Sequence, residues 1–131
     1  MAARIDWLRA DVTRWAPEPE TFDLVSAQYM HLPSAERRVL FTRLADAVRV
    51  GGTLLIVGHD AADIAAGVHR PPEPDRFFAA EEVAADLDPD RWEVLVAESR
   101  PRPAHEHEGT AITVRDAVVR GHRRVTARKD H

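Results

Sequence analysis

The 131-residue sequence contains no cysteine, which excludes disulfide frameworks, thiolate zinc sites and cysteine nucleophiles. Aromatic residues make up only 6% of the chain. The longest apolar runs, such as residues 54–57 and 94–97, are far shorter than the ~20 residues of a membrane helix. The first residues include Arg4 and Asp6 where a secretory signal would have an apolar core. We therefore expect a cytoplasmic protein with no membrane partner, held together by packing alone.

Positive charge is not in excess either, because the sequence has 18 basic and 22 acidic residues and a net charge of −4. The basic residues from Arg120 to Lys129 lack interleaved aromatic side chains for base stacking, so we predict no nucleic-acid partner. The segment His105–Glu108 offers two imidazoles on one face of a strand and no third ligand, so we predict no metal site. We interpret residues 1–122 as one domain and residues 123–131 as a polar tail.

What the sequence does contain is an alternation of strand and helix patterns. Residues 22–28 are almost continuously apolar, which is typical of a parallel strand buried on both faces. Leu40, Leu44 and Val48 recur at helical spacing after Ser34, a residue suited to a helix N-cap. The predicted elements are strands at 4–10, 22–28, 53–58, 92–97 and 110–119, and helices at 34–49 and 81–87, with an irregular connection at 60–75 and a hairpin loop at 101–109.

Four segments in this order resemble the class I S-adenosylmethionine-dependent methyltransferases. They are Leu8–Val12, Phe22–Val25, Tyr29–Pro33 and Val50–Leu55, and the resemblance extends over residues 4–121. It implies a partial Rossmann-like α/β methyltransferase sheet with a C-terminal antiparallel hairpin. In that family the strand order is 3-2-1-4-5-7-6, and the cofactor is S-adenosylmethionine.

The chain departs from this family before the third strand, since no Gly-x-Gly sequence is present. In the family that turn lets the backbone approach the methionine moiety of the cofactor. We therefore interpret the chain either as the C-terminal portion of a longer enzyme or as a naturally short relative. The isolated chain is expected to bind S-adenosylmethionine weakly.

The resemblance also implies cofactor-binding residues. Asp11 matches the carboxylate that receives the adenine amino group, and Val12 matches the backbone that meets the adenine edge. Ser26, Ala27 and Gln28 match the strand end that lines the methyl and amino groups. Asp11 has an alternative role as the cap of a turn through Thr13 and Arg14, and Gln28 has one as an ordinary polar residue.

His31 and His59 follow two predicted strand ends and are the candidate catalytic residues. A neutral imidazole can accept the proton that a methyl acceptor loses, although positioning alone can supply much of the rate of methyl transfer. His31 has an alternative role in packing.

The predicted function is methyl transfer to an unknown small-molecule acceptor, as part of a longer or oligomeric enzyme. The alternative is a non-catalytic remnant that serves as an interaction module. Because two strands of the family sheet are missing, residues 22–28 are expected to have a free edge. Either residues 4–10 pair directly with that edge, or two chains meet there in a homodimer.

Overall fold

The computed structural model describes residues 4–62, 76–105 and 109–125. These residues form four strands and two helices: β1 (Phe22–Gln28), α1 (Ser34–Asp46), β2 (Val48–His59), α2 (Ala80–Ala85), β3 (Trp92–His105) and β4 (Ala111–Arg123). No helix within these ranges is long and apolar enough to cross a bilayer.

The strands form one sheet in the order β1-β2-β4-β3. β1 and β2 are parallel, whereas β4 is antiparallel to both β2 and β3. This order confirms the predicted α/β class with a terminal antiparallel hairpin. It also equals the 4-5-7-6 part of the strand order that the resemblance implied.

Both helices cover the same face of this sheet. Leu54 and Ile56 in β2 and Val119 in β4 belong to one buried cluster with Leu40 of α1 and Val83 of α2. These five side chains are at most 3% exposed. Because alternate residues of a strand face opposite sides, every second residue of the two central strands packs against the helices.

The predicted strand at residues 4–10 is wrong. These residues form neither a strand nor a helix, and they are exposed, with Trp7 at 90%, Leu8 at 68% and Ile5 at 64%. The apolar and polar residues alternate as in a strand, but within the described part of the chain no neighbouring strand pairs with them. An alternation of apolar and polar residues therefore shows that a segment is able to form a strand, and the strand forms only where a neighbouring strand pairs with it.

The burial predicted for β1 on both faces is also wrong, although its parallel pairing is confirmed. Phe22 is 45% exposed and Leu24 is 58% exposed, while Ala27 is buried at 4%. The outer edge of β1 pairs with no strand formed by residues 4–62, 76–105 or 109–125. Apolar composition thus predicted the strand correctly but not the number of its neighbours.

Two helix boundaries differ from the sequence prediction. Ser34 is the first residue of α1, and Pro33 holds the cap position predicted for Ser34. α1 ends at Asp46, and the strand β2 begins at Val48, earlier than predicted. The predicted helix at 81–87 is present as α2, two residues shorter at its end.

The terminal hairpin is longer than predicted. β3 continues through Pro101 and Pro103 to His105, so most of the predicted loop at 101–109 is strand. Prolines are tolerated here because β3 is an edge strand and its outer amides need no partner. Arg123, assigned to the tail, is the last residue of β4, buried at 6% and bonded to Glu20 Oε1 at 3.0 Å. Residues 63–75, 106–108 and 126–131 of the predicted connection, loop and tail lie outside the described residues.

Candidate functional site

The carboxyl ends of β1 and β2 lie at the same edge of the sheet because these strands are parallel. Tyr29 follows β1 in a left-handed conformation with φ of 56°, which is uncommon for a residue with a side chain. Its amide donates to the carbonyl of Val57 at 2.7 Å. The chain therefore turns sharply at Tyr29 while staying bonded to β2, and this turn carries His31 towards the end of β2.

The two candidate catalytic residues, His31 and His59, are in direct contact. Their rings stack with centroids 4.8 Å apart and an angle of 12° between planes. The backbone N–H of His59 donates to Nε2 of His31 at 3.1 Å. As long as this bond is made, Nε2 of His31 carries no proton, because it acts as the acceptor. The structure thus brings together two residues that the sequence separates by 28 positions.

Aromatic rings surround this pair of imidazoles. The centroid of Tyr29 lies 5.0 Å from that of His59, and the centroid of Phe77 lies 5.1 Å from that of His31. Arg76 donates from Nη1 to the carbonyl of His31 at 3.0 Å. The two imidazoles therefore lie between two tilted aromatic side chains, which restrict the movement of both rings.

Gly58 makes this packing feasible. A Cβ at this position would lie 2.6 Å from Cζ of Phe78 and 3.4 Å from Nε2 of His31. The first distance is far below carbon–carbon contact, so any side chain here would displace the buried Phe78 ring. The glycine is required by close approach, since it is not among the residues with positive φ.

A buried carboxylate extends the site into the hairpin, and sequence reasoning missed it. Oδ2 of Asp116 accepts from the Tyr29 hydroxyl at 3.1 Å and from Nε of Arg102 at 2.8 Å. The hydrogen bond to Asp116 raises the pKa of Arg102 above its usual value and outweighs the opposing effect of burial. Oδ1 of Asp116 is buried without a hydrogen-bond partner among the described residues. Asp116 pairs with His59 between β4 and β2, and the sequence carries no signal of this register.

The predicted cofactor residues lie on the other side of β1. Val12, Ser26 and Ala27 line a cleft of about 320 Å³ at the free edge of this strand. Its remaining lining is almost wholly apolar: Trp15, Pro17, Phe22, Leu24, Val25, Met30, Leu40, Leu44 and Ala47. Gln28 lies at the end of the strand, where Nε2 donates to Oγ of Ser26 at 3.2 Å. The structure thus brings four of the five predicted cofactor residues to one place.

Asp11 adopts the alternative role that the sequence left open. Its Oδ1 accepts from the Thr13 amide at 3.0 Å and from the Thr13 hydroxyl at 2.7 Å. These bonds, that of the hydroxyl foremost, hold the pKa of Asp11 below its usual value of 3.8. Arg14 adds an exposed ion pair at 3.9 Å. The carboxylate therefore stabilises a turn at the surface, beside the cleft that Val12 lines.

Solved structures show the same arrangement of strands and helices. One is a SAM-dependent methyltransferase from Methanosarcina mazei, with a TM-score of 0.57 and 15% identity over 88% of this chain. TehB from Haemophilus influenzae gives a TM-score of 0.61 and 19% identity, also over 88% of the chain. A SAM-dependent methyltransferase from Anabaena variabilis gives 0.51 and 15% over 76%. The chain has a partial class I methyltransferase fold.

This methyltransferase fold is shown by structure and not by sequence. No protein-family model matches the chain, and no curated protein matches it in sequence. The chain spans less than two thirds of the length of the structures named above, namely 66%, 40% and 48% of them in the same order.

Proposed function

We propose that the chain takes part in S-adenosylmethionine-dependent methyl transfer to a small-molecule acceptor, as part of a longer or oligomeric enzyme. The single observation that supports this most is the position of the candidate residues. His31 and His59 lie at the carboxyl ends of β1 and β2, and the cleft runs along the outer side of β1 from Phe22 to Ala27 near its carboxyl end. Open α/β sheets bind their ligands at these strand ends.

The cleft fits one end of the cofactor. Its apolar lining suits the flat adenine ring, and Ser26 and Gln28 add polar groups at the end of β1. The sequence has no Gly-x-Gly turn for the methionine end. S-adenosylmethionine supplies an activated methyl group when it is bound, and the residues described here would hold its adenine.

The histidines take different roles in this proposal. Nε2 of His31 is already engaged by the His59 amide, so His31 positions its neighbour. His59, at the end of β2 and stacked against His31, is the candidate acceptor of the proton that the methyl acceptor loses. Phe77 and Tyr29 flank both imidazole rings, so in this proposal aromatic side chains surround the methyl acceptor.

Saturation-transfer NMR with millimolar S-adenosylmethionine tests the cofactor site, because this method detects weak binding. We expect transfer to the adenine protons, and we expect Ser26→Phe to reduce it by filling the cleft. Val125→Phe is the matched control, since Val125 is exposed and is not among the residues that line this cleft. Equal transfer in both variants would contradict the proposed cleft.

The second candidate is an interaction module without catalysis. It is favoured by the role of Asp11, whose carboxylate already bonds Thr13. If the adenine protons receive no transfer from the folded wild-type chain, the module replaces the enzyme as the better proposal. The cytoplasmic location predicted from the sequence remains a prediction.

A further inference from the structure

We infer that two copies of this chain form a dimer by strand exchange, in which residues 4–10 of each copy add to the free edge of β1 of the other. This inference goes beyond methyl transfer, and it implies that the partner's Trp7 and the adenine of S-adenosylmethionine compete for the cleft beside β1. It starts from two unpartnered features of one chain. Among the described residues no strand pairs with the outer edge of β1, and residues 4–10 have the alternation of a strand but pair with no strand.

Both features expose large apolar side chains. Trp7 is 90% exposed and Leu8 is 68% exposed, while Leu24 on β1 is 58% exposed. An unpaired, apolar edge strand is a template for pairing with another chain. β1 carries neither lysine nor proline, and its one charged residue is Asp23, whose exposed carboxylate lies 3.2 Å from Arg49 and is open to a second cation.

The two segments match in length and in charge when they run antiparallel. Each has seven residues, about 23 Å of extended chain. Placing Arg9 opposite Asp23 sets Leu8 opposite Leu24 and Trp7 opposite Val25. The parallel alignment of the same segments instead sets Asp6 against Leu24, which exposes a charge to an apolar side chain. Charge complementarity therefore selects the antiparallel direction.

The cleft at the edge of β1 supplies the space for Trp7. Opposite residues of an antiparallel pair lie on the same face, so the partner's Trp7 would lie on the side of Val25. That side faces the cleft of about 320 Å³, which Leu44 and Trp15 also line. Each buried aromatic side chain covers about 150–250 Å².

The chain's own segment does not take this place. Within one subunit, residues 4–10 are exposed and unpaired although they are covalently linked to β1 through only 11 residues. Their link begins with a turn in which the carbonyl of Asp11 accepts from the amides of Arg14 and Trp15, at 3.0 and 2.8 Å. Pro17 and Pro19 in the same link exclude the helix that a parallel crossover uses, and the disulfide test below separates an antiparallel hairpin within one chain from exchange between two. Since residues 4–10 of one chain pair with no strand among the described residues, a second copy is the occupant that we assign to the edge.

Light scattering on the full chain gives the first test. We expect a mass near twice 14.7 kDa. Trp7→Glu should give the single-chain mass, whereas Val125→Glu, at another exposed valine, should leave the dimer intact. Arg9→Glu should weaken dimerisation about threefold to tenfold, and Arg4→Glu, which lies opposite Gln28, should change it less. A wild-type monomer at 100 µM would overturn the inference.

Disulfide trapping tests the exchange itself, against a chain that has no cysteine of its own. We expect the double variant Leu8→Cys/Leu24→Cys to give a covalent dimer after mild oxidation, and Leu8→Cys/Val125→Cys to give none. A monomer with no free thiol in the first variant would show that the segment pairs with its own β1. A disulfide dimer of the single variant Leu24→Cys would indicate direct pairing of two β1 strands. Either result overturns strand exchange, and neither depends on S-adenosylmethionine.

Discussion

The hydroxyl of Tyr29 donates to Oδ2 of Asp116 at 3.1 Å, across 87 positions of sequence. This bond joins the turn after β1 to the terminal hairpin, where Arg102 holds the same oxygen at 2.8 Å. The turn and the hairpin therefore meet at one carboxylate, next to the ring of His59. The first prediction concerns the energy of this contact.

Removing the hydroxyl with Tyr29→Phe should lower the free energy of unfolding by about 1 kcal/mol, less than the ~1.5–3 kcal/mol of a buried bond to a charged group. The loss of stability is expected to be smaller than for a buried bond because Tyr29 is 41% exposed. Chemical denaturation followed by circular dichroism measures it. In the background of Asp116→Asn the same change should cost much less, since the partner is then uncharged. An equal cost in both backgrounds would show that the hydroxyl acts elsewhere.

The second prediction concerns Gly58. Gly58→Ala should destabilise the chain by about 1–3 kcal/mol, because the new Cβ would lie 2.6 Å from Phe78. It should also shift the NMR resonances of the His31 ring, which lies 3.4 Å from that Cβ. Gly109→Ala is the comparison, since it has a positive φ and open space around it. It should cost only about 1 kcal/mol of backbone strain and leave His31 unchanged.

The third prediction concerns the affinity for S-adenosylmethionine. The 131-residue chain should bind it with a Kd well above 1 µM, because each lost buried hydrogen bond to the methionine end costs about 1–3 kcal/mol. Titration calorimetry measures this affinity. Asp11→Ala should weaken whatever binding remains if the carboxylate receives the adenine amino group. A submicromolar Kd for the wild-type chain would contradict the prediction.

The fourth prediction concerns the titration of Asp11. Its folded pKa lies below 3.8, so the stabilisation it gives the turn is complete above about pH 3.8 and is lost as the pH falls through the folded pKa. NMR titration of the Asp11 carboxyl and the Thr13 amide should show both changes together.

Thr13→Val is the informative variant for this titration. It should move the pKa of Asp11 back towards 3.8, because it removes the hydroxyl bond of 2.7 Å. Thr21→Val is the control, since the Thr21 hydroxyl donates to the carbonyl of Pro19 instead. A titration of Asp11 that is the same in all three proteins would exclude Thr13 as the cause.

The sequence predicted the order of elements from β1 to β4 because each carries its own local pattern. Apolar runs marked β1 and β2, and helical spacing of Leu40 and Leu44 marked α1. Residues 4–10 carry an equally clear pattern but form no strand. Strand formation needs a partner in space, and a local pattern contains no information about that partner.

The candidate site was predicted only in part, for a related reason. His31, His59 and the strand-end residues follow strand ends that can be located in the sequence. Asp116 and Phe77 reach the same place through the pairing of β4 with β2 and the connection before α2, which no local spacing encodes. Gly58 was counted as part of a strand, and its close approach to Phe78 became visible only with the packing.

The two edges of the sheet differ, and this difference limits how far copies of the chain can assemble. Pro101 and Pro103 lie on β3, where each lacks the amide that an added strand would need. A further strand can therefore be added to the sheet at β1 but not at β3. Strand exchange closes when two copies trade residues 4–10 reciprocally, because both donated segments and both β1 edges are then used. If each copy instead donated its segment to a third, the same contact would run head to tail, so the mass of the assembly reports which of the two arrangements the chain adopts.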